Sequence, residues 1–173
     1  MKKIIFFAAI AMIAFTTNSF AQDDASAFVA TSANVITPIT ILGVNALSFG
    51  DIVGSANGGT VTISAAGARS SSVTDLLITG TTGTVSAASF TVTGEAAYTY
   101  GITLPAAPFV VSNSDATAAT MSVGTFVSSP SAEGTLTGGS ETVTVGATLT
   151  VTADQATGAY TNANDLVVTV YYN

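Results

Sequence analysis

Residues 142–152 read Thr-Val-Thr-Val-Gly-Ala-Thr-Leu-Thr-Val-Thr. Val143, Val145, Ala147, Leu149 and Val151 take the odd positions, and threonine takes every even position except Gly146. Successive side chains of a strand point to opposite faces, so this alternation specifies one dry and one wet face and excludes a helix.

The same two-residue period recurs on both sides of this stretch. Val61 and Ile63 alternate with Thr60, Thr62 and Ser64, and Phe90 and Val92 alternate with Thr91 and Thr93. Tyr98, Tyr100, Ile102 and Leu104 alternate with Thr99, Gly101 and Thr103. The β-branched and aromatic residues used here are those that fit a pleated surface. Turn-forming residues separate the runs: Asn57-Gly58-Gly59, Gly67, Gly80 to Gly83, Pro105 to Pro108, Asn113-Ser114-Asp115, Pro130, Gly138-Gly139 and Gly158. Strands at this spacing predict an all-β, antiparallel sandwich or barrel of about nine to ten strands. Thr-Val-Thr recurs at Thr60, Thr91 and Thr142 without a fixed period, so the chain is not a solenoid.

Two runs carry more specific expectations. Ala27 to Leu42 contains Pro38, which cannot donate to a ladder and implies an edge position or a bend. Asp165 to Asn173 is apolar at both parities and predicts a strand covered on both faces.

The first 21 residues read as an export signal. Lys2 and Lys3 are followed by the apolar stretch Ile4 to Phe15, and Ser19-Phe20-Ala21 places small residues where signal peptidase cuts. Thr16, Thr17 and Asn18 end the apolar stretch short of the ~20 residues that span a bilayer. Cleavage is expected after Ala21, with no cysteine there to carry a lipid. The expected organisation is a leader over 1–21, an N-terminal extension or first-strand lead-in over 22–32, and one sandwich domain over 33–173. The expected location is periplasm, outer surface or medium.

Beyond the leader, Arg69 is the only basic residue, against ten carboxylates, a net of −9. Nucleic acid and anionic membrane surfaces are poor partners for such a chain. With no cysteine, stability must come from the core alone, and 152 residues are enough for one.

Catalytic chemistry is poorly supplied. The chain contains no histidine, cysteine or tryptophan, so the usual proton carriers, soft nucleophiles and metal ligands are missing. Serines lack a basic partner, and no Gly-x-Ser-x-Gly elbow occurs. A carboxylate pair would serve a glycosidase, yet Asp51, Asp75, Glu95, Asp115, Glu133, Glu141, Asp154 and Asp165 fall singly in turns or at strand ends. No catalytic, cofactor or metal residue is therefore assigned. The best local clusters for calcium are Asp23-Asp24 and Asn162, Asn164 and Asp165, and neither matches a calcium-loop spacing, so turns are the simpler reading. Arg69, beside Gly67, is expected to pair with a carboxylate and fix a loop. The threonine-rich faces match an array for ice or polysaccharide, or are simply the polar side of a strand.

Several segments together resemble a known family. Thr37-Pro38-Ile39-Thr40-Ile41, Leu47-Ser48-Phe49-Gly50-Asp51-Ile52 and Gly59-Thr60-Val61-Thr62-Ile63, with Arg69 after Gly67, are similar to the opening of the bacterial domain-of-unknown-function family DUF4402. Ala88 to Glu95, Tyr98 to Pro105, Val145 to Val151, Gln155, Gly158-Ala159-Tyr160 and Val168 to Tyr172 are similar to the rest of its pattern. The resemblance implies export and an immunoglobulin-like sandwich, with no established activity. More distantly the chain resembles spore coat protein U and fimbrial subunits, which end in an alternating strand with an aromatic in the next-to-last place, where Tyr172 stands. Fimbrial subunits usually carry a disulfide, which this chain cannot form.

The resulting expectation is an exported, non-enzymatic structural or adhesive envelope protein that associates with itself or envelope proteins through edge strands. In a donor-strand arrangement, Gln22 to Ser32 would complete a neighbouring sandwich. The alternative is a monomeric secreted binding module for polysaccharide, ice or calcium, and a hydrolase built on two acids ranks third.

Overall fold

The computed structural model describes residues 24–77, 83–115 and 119–173. The expected leader and most of the Gly80 to Gly83 turn lie outside these residues. The chain divides into two units, Met1–Val35 and Ile36–Asn173. In the first, residues 24–35 have no regular secondary structure and every one is exposed.

The second unit is an antiparallel sandwich. Its strands are β1 (Thr40–Asn45), β2 (Ser48–Phe49), β3 (Gly59–Ile63), β4 (Arg69–Ser71), β5 (Val85–Ser86), β6 (Ala88–Thr93) and β7 (Thr99–Thr103). They continue with β8 (Phe109–Asn113), β9 (Thr120–Ser129), β10 (Glu133–Thr135), β11 (Ser140–Val151), β12 (Tyr160–Thr161) and β13 (Thr169–Tyr172). The main sheet runs β1-β6-β11-β9-β8-β12, with β3 also on β11 and β4 on β3. A three-stranded sheet, β10-β7-β13, and the pair β2-β5 complete the arrangement. More strands form than the nine to ten expected, because two- and three-residue pieces such as β2, β5 and β12 are too short to show a period.

The opening sequence motif is the centre of the main sheet. One edge of β11 pairs with β9 from Thr144 to Thr150. Its other edge pairs with β6 as far as Val145↔Ala88 and then with β3 from Ala147↔Ile63. Gly146 stands at this handover, where the main chain of Ile63 and Ser64 passes so close that no Cβ fits. The inward side chains predicted from parity, Val143, Val145, Ala147, Leu149 and Val151, are all buried.

The core has two parts. Tyr100 and Ile102 of β7, with Val168 just before β13, pack on Val92, Val143 and Val145 of the main sheet. The second part joins Val61, Leu76, Met121, Val123, Leu149 and Val151. Each fully buried side chain of this size is worth about 1.5–3 kcal/mol.

Two expectations about the ends are corrected. The run from Ala27 becomes a strand only at Thr40, two residues after Pro38, which has no N–H to give a ladder; β1 does lie at a sheet end, as proline implied. The last run is not covered on both faces. Val168 is buried and Val170 and Tyr172 are half-buried, whereas Val167 and Tyr171 are exposed. The three-stranded layer packs through one face only, and Tyr171 instead lies over Gly101 of β7, where a Cβ would meet its ring.

Candidate functional site: an open edge and an apolar cavity

Strand β1 exposes one hydrogen-bonding edge. It pairs with β6 from Thr40↔Thr93 to Gly43↔Phe90, and the register shifts before Asn45↔Ser89, so Val44 forms a bulge. Among the described residues no strand pairs its other edge. Leu42 is 70% exposed and Val44 58% exposed, although both are good core residues. The bulge confines regular pairing to Thr40–Gly43, where neither a charge nor a proline blocks an incoming strand.

Elsewhere in the same unit the sandwich contains a cavity of about 820 Å³, which of β1 only Asn45 lines. Its floor is the main sheet, with Phe90 of β6, Phe109 and Val111 of β8, and Met121 and Val123 of β9. The opposite wall comes from the segments 45–52 and 155–163. Three amide side chains of these walls already have partners in the protein. Asn45 Nδ2 donates to Ser89 Oγ at 2.8 Å, Gln155 Nε2 to Tyr160 Oη at 2.7 Å, and Asn162 Nδ2 to the Val110 carbonyl at 2.7 Å. Asp51, Thr157 and Thr161 also line the cavity, so an occupant meets hydrocarbon together with hydroxyls and one carboxylate.

Arg69 holds one wall in place. Its Nη1 donates to the Phe49 carbonyl at 3.0 Å and the Asp51 carbonyl at 3.1 Å. The guanidinium thus fixes a loop, as its isolation in the sequence implied, but it does so through main-chain oxygens, not through a carboxylate. A flat fork with five donors suits such a double contact.

The carboxylates do not gather into a metal-binding group. Among the described residues no three of His, Cys, Asp and Glu are placed to hold a metal ion. Asp23 of the Asp23-Asp24 cluster lies outside these residues. In the second cluster, Asn162 Oδ1 accepts from the main-chain N–H groups of Asn164 at 3.0 Å and Asp165 at 3.1 Å, which is a turn held by its own side chain. Asn162 also donates to Asp165 Oδ2 at 2.6 Å.

Glu95 and Glu141 have long-range roles that sequence reading missed. The Thr37 N–H donates to Glu95 Oε2 at 2.9 Å, and this bond holds the carboxyl below its ordinary value. Tyr172 joins the same corner: its hydroxyl donates to the Thr37 carbonyl at 2.7 Å and accepts from the Glu95 N–H at 2.6 Å. Its ring meets Tyr98 edge-on at 5.7 Å. A carboxylate with a lowered folded value stabilises the protein above its unfolded value and loses that contribution as pH falls through the folded one. Glu95→Gln should therefore differ most from the parent at neutral pH and converge with it below about pH 4. Urea unfolding at several pH values checks this, and a constant gap across the range would remove the linkage.

Inside the core, Tyr100 is fully buried and its hydroxyl donates to Glu141 Oε2 at 2.8 Å. The same oxygen accepts the Thr135 N–H at 2.9 Å. Burial, followed by the bond to Glu141 and its negative charge, raises the phenol above its ordinary value. The signal in the sequence was a tyrosine at an inward parity, since a buried hydroxyl needs a partner.

The profile described as Domain of unknown function (DUF4402) matches residues 39–172. The chain belongs to the DUF4402 family. No curated protein and no solved structure matches it. In this DUF4402 chain the matched residues run from just before β1 to Tyr172 in β13, so the family pattern spans the open edge, the cavity and the Tyr172 corner together. No helix among the described residues is long and apolar enough to cross a membrane.

Proposed function

We propose that this DUF4402 protein is an exported, non-enzymatic structural or adhesive subunit of a bacterial envelope, and that copies associate through the edge of β1. The observation that carries this reading is an unpaired edge whose regular part, Thr40–Gly43, has no charge and exposes Leu42. Sheets that remain monomeric usually guard such an edge with lysine, proline or a cover. Export is supported by the leader pattern at residues 1–21. The chain's lack of histidine and cysteine, together with the engagement of Glu95, Glu141 and Asp165 in hydrogen bonds that hold the fold, supports a non-enzymatic role. A fimbria-like or matrix assembly is the form that edge pairing would produce when each copy offers an edge and a receiving surface.

The paired substitution Leu42→Lys and Val44→Lys tests the reading. The parent protein should form concentration-dependent oligomers or filaments in light scattering and negative stain, and the variant should need at least tenfold more protein to do so. The two lysines are exposed in the monomer, so its melting temperature should change little. A parent that remains monomeric at high concentration, or a variant that assembles equally well, would overturn the proposal.

A further inference from the structure

We infer that the apolar cavity receives the N-terminal segment, Ala25–Val35, of a second copy. The inference rests on the self-association reading and names the donor and the acceptor within it. Three independent observations point to this occupant.

The first is exposure. Phe28 is 97% exposed, Val29 86% and Val35 94%, more than any other large apolar side chain of the described chain. Among the described residues this stretch forms no strand, and exposed apolar side chains of this size are common features of interaction surfaces.

The second is charge. From Ala25 to Gly50 no residue is charged, the longest such run in the sequence, although the chain beyond its leader carries −9. Among the described residues, Asp51 is the only charged one lining the cavity. No cation waits there for an anionic ligand, and most segments of a second copy would bring a carboxylate toward Asp51. Ala25–Val35 brings none.

The third is shape and chemistry. The odd positions of the segment are Ala25, Ala27, Val29, Thr31, Ala33 and Val35, a small-to-medium apolar face at strand period. An extended chain with such a face suits a cavity open between two layers, and its own N–H and C=O groups can pair with strand edges. A sugar would find the wall amides already bonded. Arg69, which lies in β4, ties Phe49 and Asp51 to the main sheet and so acts as a positioning residue for the acceptor wall.

The absence of cysteine makes a direct test possible. The full chain, as its host processes it, is prepared as donor variants Phe28→Cys and Val29→Cys and as acceptor variants Val111→Cys and Met121→Cys. Donor and acceptor are mixed under mild oxidation. A disulfide needs Cα atoms within about 7 Å, so linkage reports true insertion. The expected result is a donor–acceptor dimer with at least one acceptor and at least tenfold less with Thr150→Cys, which is exposed on the opposite face of β11.

A second measurement needs no substitution in the folded chain. A peptide of residues 24–36 at a hundredfold excess over its Kd should raise the melting temperature by roughly 5–10 °C, and the same peptide with Val29→Asp and Val35→Asp should not. No linkage to either acceptor, together with no shift from the peptide, overturns the inference. A neutral lipid or other apolar small molecule found bound in the purified protein, and blocking the peptide, overturns it as well. Failure here while Leu42→Lys with Val44→Lys still abolishes assembly leaves β1 pairing standing alone. Linkage that persists in an edge variant that still assembles removes the edge instead.

Discussion

Gly146→Ala should destabilise the protein by more than about 4 kcal/mol, an effect in the rare upper tail for a single methyl group. Most glycines that tolerate no alanine are held at positive φ, but Gly146 is not among the positive-φ residues of this chain. Its constraint is steric. A Cβ would meet the Ile63 carbonyl oxygen, lie 2.5 Å from the Ser64 carbonyl carbon and 2.7 Å from the Ala65 nitrogen. All three are main-chain atoms, so no rotamer change relieves them. Withdrawal of that chain is opposed by Ala147↔Ile63 and the four register pairs that follow it, which carry Val61 and Ile63 into the core. Withdrawal of β11 is opposed by β9 on its other edge.

Gly138→Ala is the matched control. Gly138 has φ 69°, yet nothing lies within 4 Å of a Cβ there, so only local strain of about 1 kcal/mol is expected. Thermal and urea unfolding of both variants compare crowding with conformational strain directly. A loss at Gly146 no larger than that at Gly138 would show that β11 can move away from β3, and the handover between β6 and β3 would then not be fixed.

This handover marks the boundary of what could be read in advance. The inward parity of β11, β3, β6 and β7 follows from local alternation, because a strand's faces are decided residue by residue. The pairing of β11 with three different strands does not, since register is set by contacts between residues such as Ala147 and Ile63 that lie far apart in the chain. The ends misled for a related reason. Val167 and Tyr171 are apolar, so the last run looked doubly buried, but a side chain's exposure depends on whether another layer arrives above it.

The candidate site was less legible than the fold. Pro38 pointed to an edge, and the uncharged stretch from Ala25 is visible in composition, so half of the donor and acceptor idea was accessible. The cavity was not, because it arises from the separation between the main sheet and the segments 45–52 and 155–163. Arg69 shows the same limit: a lone cation announces a structural duty, while its choice of two carbonyls over any carboxylate belongs to the folded loop.

The second large effect lies at Tyr100. Tyr100→Ala should cost about 3–5 kcal/mol, since a fully buried aromatic is replaced by a void in the part of the core formed with Ile102, Val143 and Val168. Tyr100→Phe separates the hydroxyl from the ring. It keeps the packing but removes the donor to Glu141, leaving that carboxylate oxygen with the Thr135 N–H alone. A bond to a charged acceptor contributes about 1.5–3 kcal/mol, and the half-exposed carboxylate places the expected loss near the lower end. Gly134 is part of the same arrangement, because a Cβ there would meet both Glu141 and the Tyr100 ring end.

The pH dependence gives this prediction its sharpest form. The folded phenol titrates above its ordinary value near 10, so its contribution is fully present below pH 10 and is lost as pH rises from there through the folded value. The parent should therefore lose up to about 1.4 kcal/mol per pH unit from this group above pH 10, in addition to what the other tyrosines contribute. Tyr100→Phe lacks the proton and should show a shallower alkaline limb, so that the two proteins approach equal stability as pH rises. Glu141→Gln separates the causes. It removes the negative charge that opposes ionisation but leaves the ring buried, so the alkaline limb should still begin near pH 10 but level off at lower pH than in the parent, with a total loss between those of the parent and Tyr100→Phe. Parallel limbs for the parent and Tyr100→Phe would mean that the phenol ionises without cost in the folded state. That outcome is incompatible with a hydroxyl sealed between β7 and β11 and donating to a carboxylate.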